Sequence, residues 1–269
     1  MRITVLGKSP SWQDADGACS GYLVEEGETC VLLDCGNGVF SKLRCFRDYA
    51  AVDAVVISHM HADHFLDLVP FAYALTYAPR QQPATGSHAP ARPALHAPRG
   101  ARDLFRRVVG AWGSEDLIEK AFDLQEYGAG DGLAIGSLKL RFSRVPHFVP
   151  THAVEFSSVL DGAARFTFGA DSGPSDDLVR FADGADLLML EATLPRPERT
   201  GQRGHLTPAE AGEHATRARA RRLVLTHISD ELDELWAKAE AEKFFRGPVT
   251  VAREGAVYEV PVQASRLPA

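Results

Sequence analysis

Val52-Asp53-Ala54-Val55-Val56-Ile57-Ser58-His59-Met60-His61-Ala62-Asp63-His64 runs from an apolar stretch straight into three histidines and an aspartate. Residues 52–58 are nearly continuous in apolar side chains, which predicts a strand buried on both faces. His59, His61, Asp63 and His64 follow directly, within six residues of one another. Imidazoles and a carboxylate crowded this closely lack partners unless something positive sits between them. A divalent metal is such a partner, and neutral imidazole with carboxylate is a normal zinc ligand set. A short irregular turn can aim His59 and His61 toward one point and Asp63 and His64 toward a second. Two ions therefore suit the run better than one.

Working outward, short runs rich in Val, Ile, Leu and Phe alternate with helical patterns. Strands are expected at 3–6, 21–24, 30–34, 52–58, 138–142, 154–160, 165–169, 187–190, 223–226, 249–252 and 257–260. Helices are expected at 67–77, 101–110, 115–121, 175–182, 208–220 and 231–245. The helix at Pro208 has the clearest start, with Thr207 as N-cap and Glu210 completing a capping box. Arg217, Arg219, Arg221 and Arg222 suit the negative end of its dipole. Residues 78–92 read as a long loop; His88 within it and His96 beyond it read as surface or packing residues. The pattern indicates an α/β (α+β) chain of mixed sheets covered by helices. If the halves form two packed sheets, this becomes a four-layer αβ/βα sandwich. Residues 1–269 are expected to form a single domain.

A hydrophobic share of 45% with 24% charged residues describes a soluble globular chain. The formal net charge of −7 disfavours an extended nucleic-acid footprint, which needs a basic surface. No charged segment followed by an apolar one precedes the first expected strand, and no apolar stretch could cross a bilayer. A cytoplasmic protein without membrane contact is the expectation. Cys19, Cys30, Cys35 and Cys45 lie together without a C-x-x-C pair and away from the histidines, so reduced thiols are expected.

The run His59-Met60-His61-Ala62-Asp63-His64 at a strand end resembles the metallo-β-lactamase superfamily, and further motifs follow in that family's order. His147 in Arg144-Val145-Pro146-His147, Asp171 in Phe168-Gly169-Ala170-Asp171-Ser172-Gly173 and His227 in Leu223-Val224-Leu225-Thr226-His227 match them. The resemblance implies two mixed β-sheets flanked by helices and a two-metal hydrolase. It implies that His59, His61 and His147 bind one metal, that Asp63, His64 and His227 bind the other, and that Asp171 bridges them. Asp34, in Leu32-Leu33-Asp34-Cys35-Gly36, would hold the histidine-bearing loop by hydrogen bonds, with Gly36 and Gly38 permitting the turn. Zinc leads the expected ions, with manganese, iron and cobalt also accommodated by such ligands.

Superfamily members hydrolyse lactams, lactones, thioesters and phosphodiesters, so the fold leaves the substrate open. His205-Leu206-Thr207 is similar to the His-x-Thr/Ser motif of the ribonuclease Z-like phosphodiesterase branch. The resemblance implies that His205 binds a phosphoryl oxygen or protonates the leaving alkoxide, while Asp63 can accept a proton from water. Arg196, Arg199 and Arg203 are candidates for phosphate contact, against a plain solvated loop. The tRNA-processing members carry a long arm between the third-motif histidine and the bridging aspartate. Here only 24 positions separate His147 from Asp171, which points to a small phosphodiester. The chain thus resembles bacterial 3′,5′-cyclic nucleotide phosphodiesterases, with an RNA endonuclease and a lactonase as alternatives. Oligomeric state is left open, a homodimer included.

Overall fold

The computed structural model describes residues 1–82, 90–160, 162 and 164–261. The first half of the chain forms β1 (Arg2–Gly7), β2 (Gly21–Glu26), β3 (Thr29–Leu33), α1 (Val39–Phe46), β4 (Ala54–Val56), α2 (Ala62–Phe65), α3 (Leu68–Tyr77), β5 (Ala94–Pro98), α4 (Ala101–Gly110), α5 (Leu117–Ala121) and β6 (Asp123–Tyr127). The second half forms β7 (Gly132–Ile135), β8 (Leu138–Val145), β9 (Thr151–Ser158), β10 (Arg165–Phe168), α6 (Asp176–Phe181), β11 (Leu187–Glu191), α7 (Pro208–Arg217), β12 (Leu223–Thr226), α8 (Glu234–Glu242), β13 (Val249–Val251) and β14 (Val257–Glu259).

These strands make two seven-stranded sheets, ordered β14-β1-β2-β3-β4-β5-β6 and β13-β12-β11-β10-β9-β8-β7. In each sheet one stretch is antiparallel and the other parallel: β3 to β6 run parallel in the first, β10 to β13 in the second. The inner faces meet in one core, where Ile3, Tyr22, Val31 and Val56 pack with Leu140, Phe156, Phe166 and Met189. The outer face of the first sheet is covered by α1, α3, α4 and α5 through Leu43, Phe71, Phe105 and Ile118. That of the second is covered by α6, α7 and α8 through Leu178, Ala211, Ala215 and Ala241. The αβ/βα sandwich of two mixed sheets is therefore the observed architecture. No helix among the described residues is long and apolar enough to cross a membrane.

Several elements differ from the sequence expectation. The strand expected over 52–58 pairs only as β4, because the Ser58 amide leaves the ladder to donate to Asp34 Oδ1 at 2.7 Å. The one-turn helix α2, with His61 at its N-cap, replaces the irregular turn. The helix expected to reach residue 220 ends at Arg217, and Arg219 adopts a left-handed backbone with φ of 51°. Arg217, Arg219 and Arg221 then pair with Asp176, Asp183 and Asp186, so ion pairs as well as the helix end account for them. Strands β5, β6 and β7 and helix α1 were not expected. His96 lies buried in β5, while His88 falls outside the described residues. Cys19, Cys30 and Cys35 are buried, Cys45 is exposed, and none is paired.

Candidate active site

The expected site residues converge at one end of the sandwich, each at or just beyond a strand end. His59 follows β4, α2 presents Asp63 and His64, His147 follows β8, Asp171 follows β10, and His227 follows β12. Two groups of donor atoms result, with atoms in each within 4.8 Å of one another: His59, His61, His147 and Asp171, and Asp63, His64, Asp171 and His227. Asp171 belongs to both. Its Oδ2 lies 3.8 Å from the Nε2 atoms of His59 and His147 and 3.4 Å from that of His227, while Oδ1 lies 3.4 Å from His64 Nε2. Asp63 Oδ2 approaches His227 Nε2 at 3.2 Å and His64 Nε2 at 3.4 Å.

Ring orientation is fixed from behind. His64 Nδ1–H donates to Asp34 Oδ2 at 2.7 Å, and His147 Nδ1–H to the Gly204 carbonyl at 2.8 Å. Ser58 Oγ donates to Asp34, so toward His59 Nδ1 it presents a lone pair at 3.1 Å. Thr193 Oγ1 likewise donates to the His227 carbonyl and so accepts from His227 Nδ1 at 2.8 Å. In all four rings a proton is held outward at Nδ1 and the Nε2 atom is left facing inward. This is the arrangement that orients imidazoles as metal ligands.

The donor set fits a metal on three further counts. His61 Nδ1 stands 3.1 Å from His59 Nε2 and 3.0 Å from His147 Nε2. A zinc tetrahedron with arms of about 2.0–2.1 Å has an edge of about 3.3 Å, so the spacing is close to that of ligands around one ion. His64 Nε2 is buried without a hydrogen-bond partner among the described residues. Finally, burial alone would depress the His64 proton affinity, yet Asp171 and Asp34 push it well above the ordinary imidazole range. Burial also works against Asp63 and Asp171, but the surrounding histidines hold both carboxyls well below the usual range. These carboxylates demand a positive neighbour. Burial meanwhile pushes His147 down to about 4 and His59 well below its usual value, which keeps both neutral.

Backbone strain accompanies the cluster. Asp34, Ala170 and His227 have φ of 56°, 53° and 50°, left-handed values that cost non-glycine residues energy and concentrate at functional sites. At Gly36 a Cβ would stand 1.8 Å from the Asp63 carbonyl oxygen, so only glycine lets the β3–α1 turn approach the ligand loop. Asp34 itself is fully buried and accepts from Ser20 Oγ, Ser58 N, Ser58 Oγ and His64 Nδ1. Asp34→Ala strands all of these donors. The expected cost is about 3–5 kcal/mol of stability and about 10–100-fold in metal affinity. Urea unfolding and competition with a metal indicator would measure the two effects.

The model of the β-lactamase superfamily domain matches residues 29–228. The chain belongs to the β-lactamase superfamily. A probable metallo-hydrolase of Bacillus subtilis, YhfI, is 29% identical over 96% of this chain and 100% of its own. The crystal structure of YhfI superposes with a TM-score of 0.82, covering 96% of this chain and 99% of that one. An uncharacterised protein of Mycobacterium leprae is 32% identical over 97% of this chain and 89% of its own. Ribonuclease Z of Natronomonas pharaonis is 28% identical over 97% of this chain and 98% of its own. With its His/Asp clusters, the superfamily chain is a metal-dependent hydrolase of this fold.

His205 lies beside these groups, its ring 5.0 Å from that of His147 and 5.8 Å from that of His227. Its Nδ1 bonds to Glu191 Oε1 at 2.9 Å. Burial opposes a charge on His205, but Glu191 outweighs it and raises the imidazole to about 9. Glu191 is buried at the end of β11 and also accepts from the Ser172 amide at 2.9 Å, tying the Asp171 loop to His205. Glu191, His205 and His227 also converge closely enough to suggest a third ion. We read them as a hydrogen-bonded pair beside a ligand, since Glu191 Oε1 is already engaged twice. Sequence reading missed Glu191, although a carboxylate closing the buried run Leu187-Leu188-Met189-Leu190 was a visible signal. Arg203 is committed elsewhere: it pairs with Glu210 at 2.7 Å and Glu198 at 3.9 Å, while Arg196 and Arg199 stay exposed.

Proposed function

We propose that the chain is a dinuclear metal-dependent phosphodiesterase whose substrate is a small phosphodiester such as a 3′,5′-cyclic nucleotide. The observation that carries this reading is the Glu191–His205 pair beside the two ligand groups. A phosphodiester is anionic before reaction and expels an alkoxide, so it gains from a charged imidazole in a way that a neutral lactone does not.

In this reading His59, His61 and His147 would hold one ion and Asp63, His64 and His227 the other, with Asp171, a member of both donor groups, within reach of each. Divalent ions bound there would supply the charge that acidifies water and offsets phosphoryl charge; zinc suits the ligands first, manganese or iron also. Asp63, whose Oδ2 lies among the donor atoms 3.2 Å from His227 Nε2, accepts the proton that the attacking water gives up. The water oxygen bonds phosphorus as the bond to the leaving oxygen breaks. His205, whose Nδ1 is taken by Glu191, donates from Nε2 to that leaving oxygen.

Small size is supported by the net charge of −7 and by the short link, residues 159–164, that joins β9 to β10 between His147 and Asp171. The alignment with the Natronomonas ribonuclease Z runs over 303 positions against a chain of 269, so that relative carries segments this chain lacks. The shared core of the two sheets supports reading residues 1–269 as one domain. An RNA endonuclease is the second reading, favoured by the ribonuclease Z relatives. A panel of cyclic nucleotides, short RNA, pre-tRNA and lactones, assayed with metal content measured, separates them. Cyclic nucleotides are expected to be turned over and pre-tRNA left intact. Preferential cleavage of pre-tRNA would overturn the small substrate, and hydrolysis of lactones alone would overturn the phosphodiesterase.

A further inference from the structure

Phe148 follows the ligand His147 directly, yet its side chain is 53% exposed. Scattered apolar residues on a surface are ordinary. This one is not scattered: its ring centroid lies 5.0 Å from the His147 ring and 5.9 Å from the His205 ring. It therefore borders both His147, a member of one donor group, and His205. Its position is also built. A Cβ added at Gly204 would lie 2.4 Å from two Phe148 ring carbons, so the ring rests directly on the Gly204 backbone. Gly204 in turn accepts from His147 Nδ1 at 2.8 Å, and its amide donates to Glu198 at 3.0 Å. One glycine therefore sets both the ligand ring and the aromatic ring beside it.

We infer that Phe148 is a specificity-determining residue that stacks on the nucleobase of the substrate, which makes the substrate class a nucleobase-bearing phosphodiester. The inference rests on the phosphodiesterase reading for its substrate. Every nucleobase offers a π face of matching size, and an exposed aromatic ring held by its neighbours pays little ordering entropy to receive one. A sugar–phosphate without a base leaves the ring in water and gains nothing from it.

The test uses matched pairs. Wild-type protein, Phe148→Ala and Phe148→Trp, each checked for metal content, are assayed on adenosine 3′,5′-cyclic phosphate and on its abasic 1-O-methylribose analogue. Equilibrium titration with AMP and ribose 5-phosphate gives a readout independent of turnover. Wild type should favour the base-bearing member of each pair. Phe148→Ala should shrink that preference about 5- to 100-fold in kcat/KM and in Kd, and Phe148→Trp should restore it. A preference unchanged in Phe148→Ala would overturn the stacking role while leaving the phosphodiesterase standing. Equal binding of AMP and ribose 5-phosphate to wild type would overturn it too, whatever the turnover. Cleavage of neither diester, with AMP still preferred, would sink the phosphodiesterase reading and spare the stacking. A short oligoribonucleotide added to the panel distinguishes a mononucleotide base from one at an RNA end.

Discussion

Dialysis against a chelator is expected to abolish phosphodiester turnover and to lower the thermal midpoint, with both restored by added Zn2+ or Mn2+. The physical reason is the density of buried, like-minded groups. His59, His64, His147 and His227 are buried with their Nε2 atoms converging, and Asp63 and Asp171 are buried among them. Without a cation, the carboxylates must draw protons onto rings such as His64 whose burial opposes a charge. Binding to the folded state alone stabilises it by about 2.7–4.1 kcal/mol at 100–1,000 times the dissociation constant. For a chain of this size that corresponds to a midpoint shift of about 5–15 °C. Because protons and metal compete for the same Nε2 lone pairs, metal affinity should also fall as pH is lowered. Metal analysis, calorimetry and turnover of bis-p-nitrophenyl phosphate on one set of samples would check this. Full activity with metal removed to trace levels would refute every metalloenzyme version of the site.

How far the sequence foretold this site depends on whether a residue's role is local. His59 to His64 were legible because their crowding after an apolar strand has no structural use, and His147, Asp171 and His227 because each closes a strand in a known order. Of the three strands that escaped notice, β6 and β7 are sheet edges, where Asp123-Leu124-Gln125-Glu126-Tyr127 and Gly132-Leu133-Ala134-Ile135 bury only part of one face. Edge strands lack the continuous apolar run that marked β4. Helix α1 was hidden for another reason: it starts at Gly38 with φ of 88° and has no side-chain cap, so nothing announced it. Glu191, Thr193 and Phe148 lie against partners distant in sequence, at His205, His227 and Gly204, and such pairings exist only once the sheets have packed. The left-handed backbone at Ala170 and His227 is likewise imposed by the fold, since neither residue favours it alone.

His205→Ala is expected to lower phosphodiester turnover about 10²- to 10⁴-fold, the range lost with a general acid, while metal content stays at the wild-type level. The separation of the two readouts follows from the geometry. His205 bonds to Glu191 through Nδ1 and is absent from the two groups that Asp171 joins, so its removal leaves both groups intact. A merely structural His205, capping or packing the start of α7, predicts a different pattern. Thr207 and Glu210 already complete that cap between themselves, so truncating His205 would then cost modest stability and little rate. The leaving group sharpens the test. A p-nitrophenolate needs little protonation, whereas an alkoxide needs a great deal, so the loss should be larger for a cyclic nucleotide than for bis-p-nitrophenyl phosphate. Glu191→Gln provides the second arm, because it keeps an acceptor for His205 Nδ1 and Ser172 N but removes the charge that holds His205 protonated. The protonated acid is lost as pH rises, so the alkaline limb of the rate profile should move to lower pH in Glu191→Gln. Wild-type turnover of cyclic nucleotides in His205→Ala, with an unshifted limb in Glu191→Gln, would leave the proton donor to be sought elsewhere.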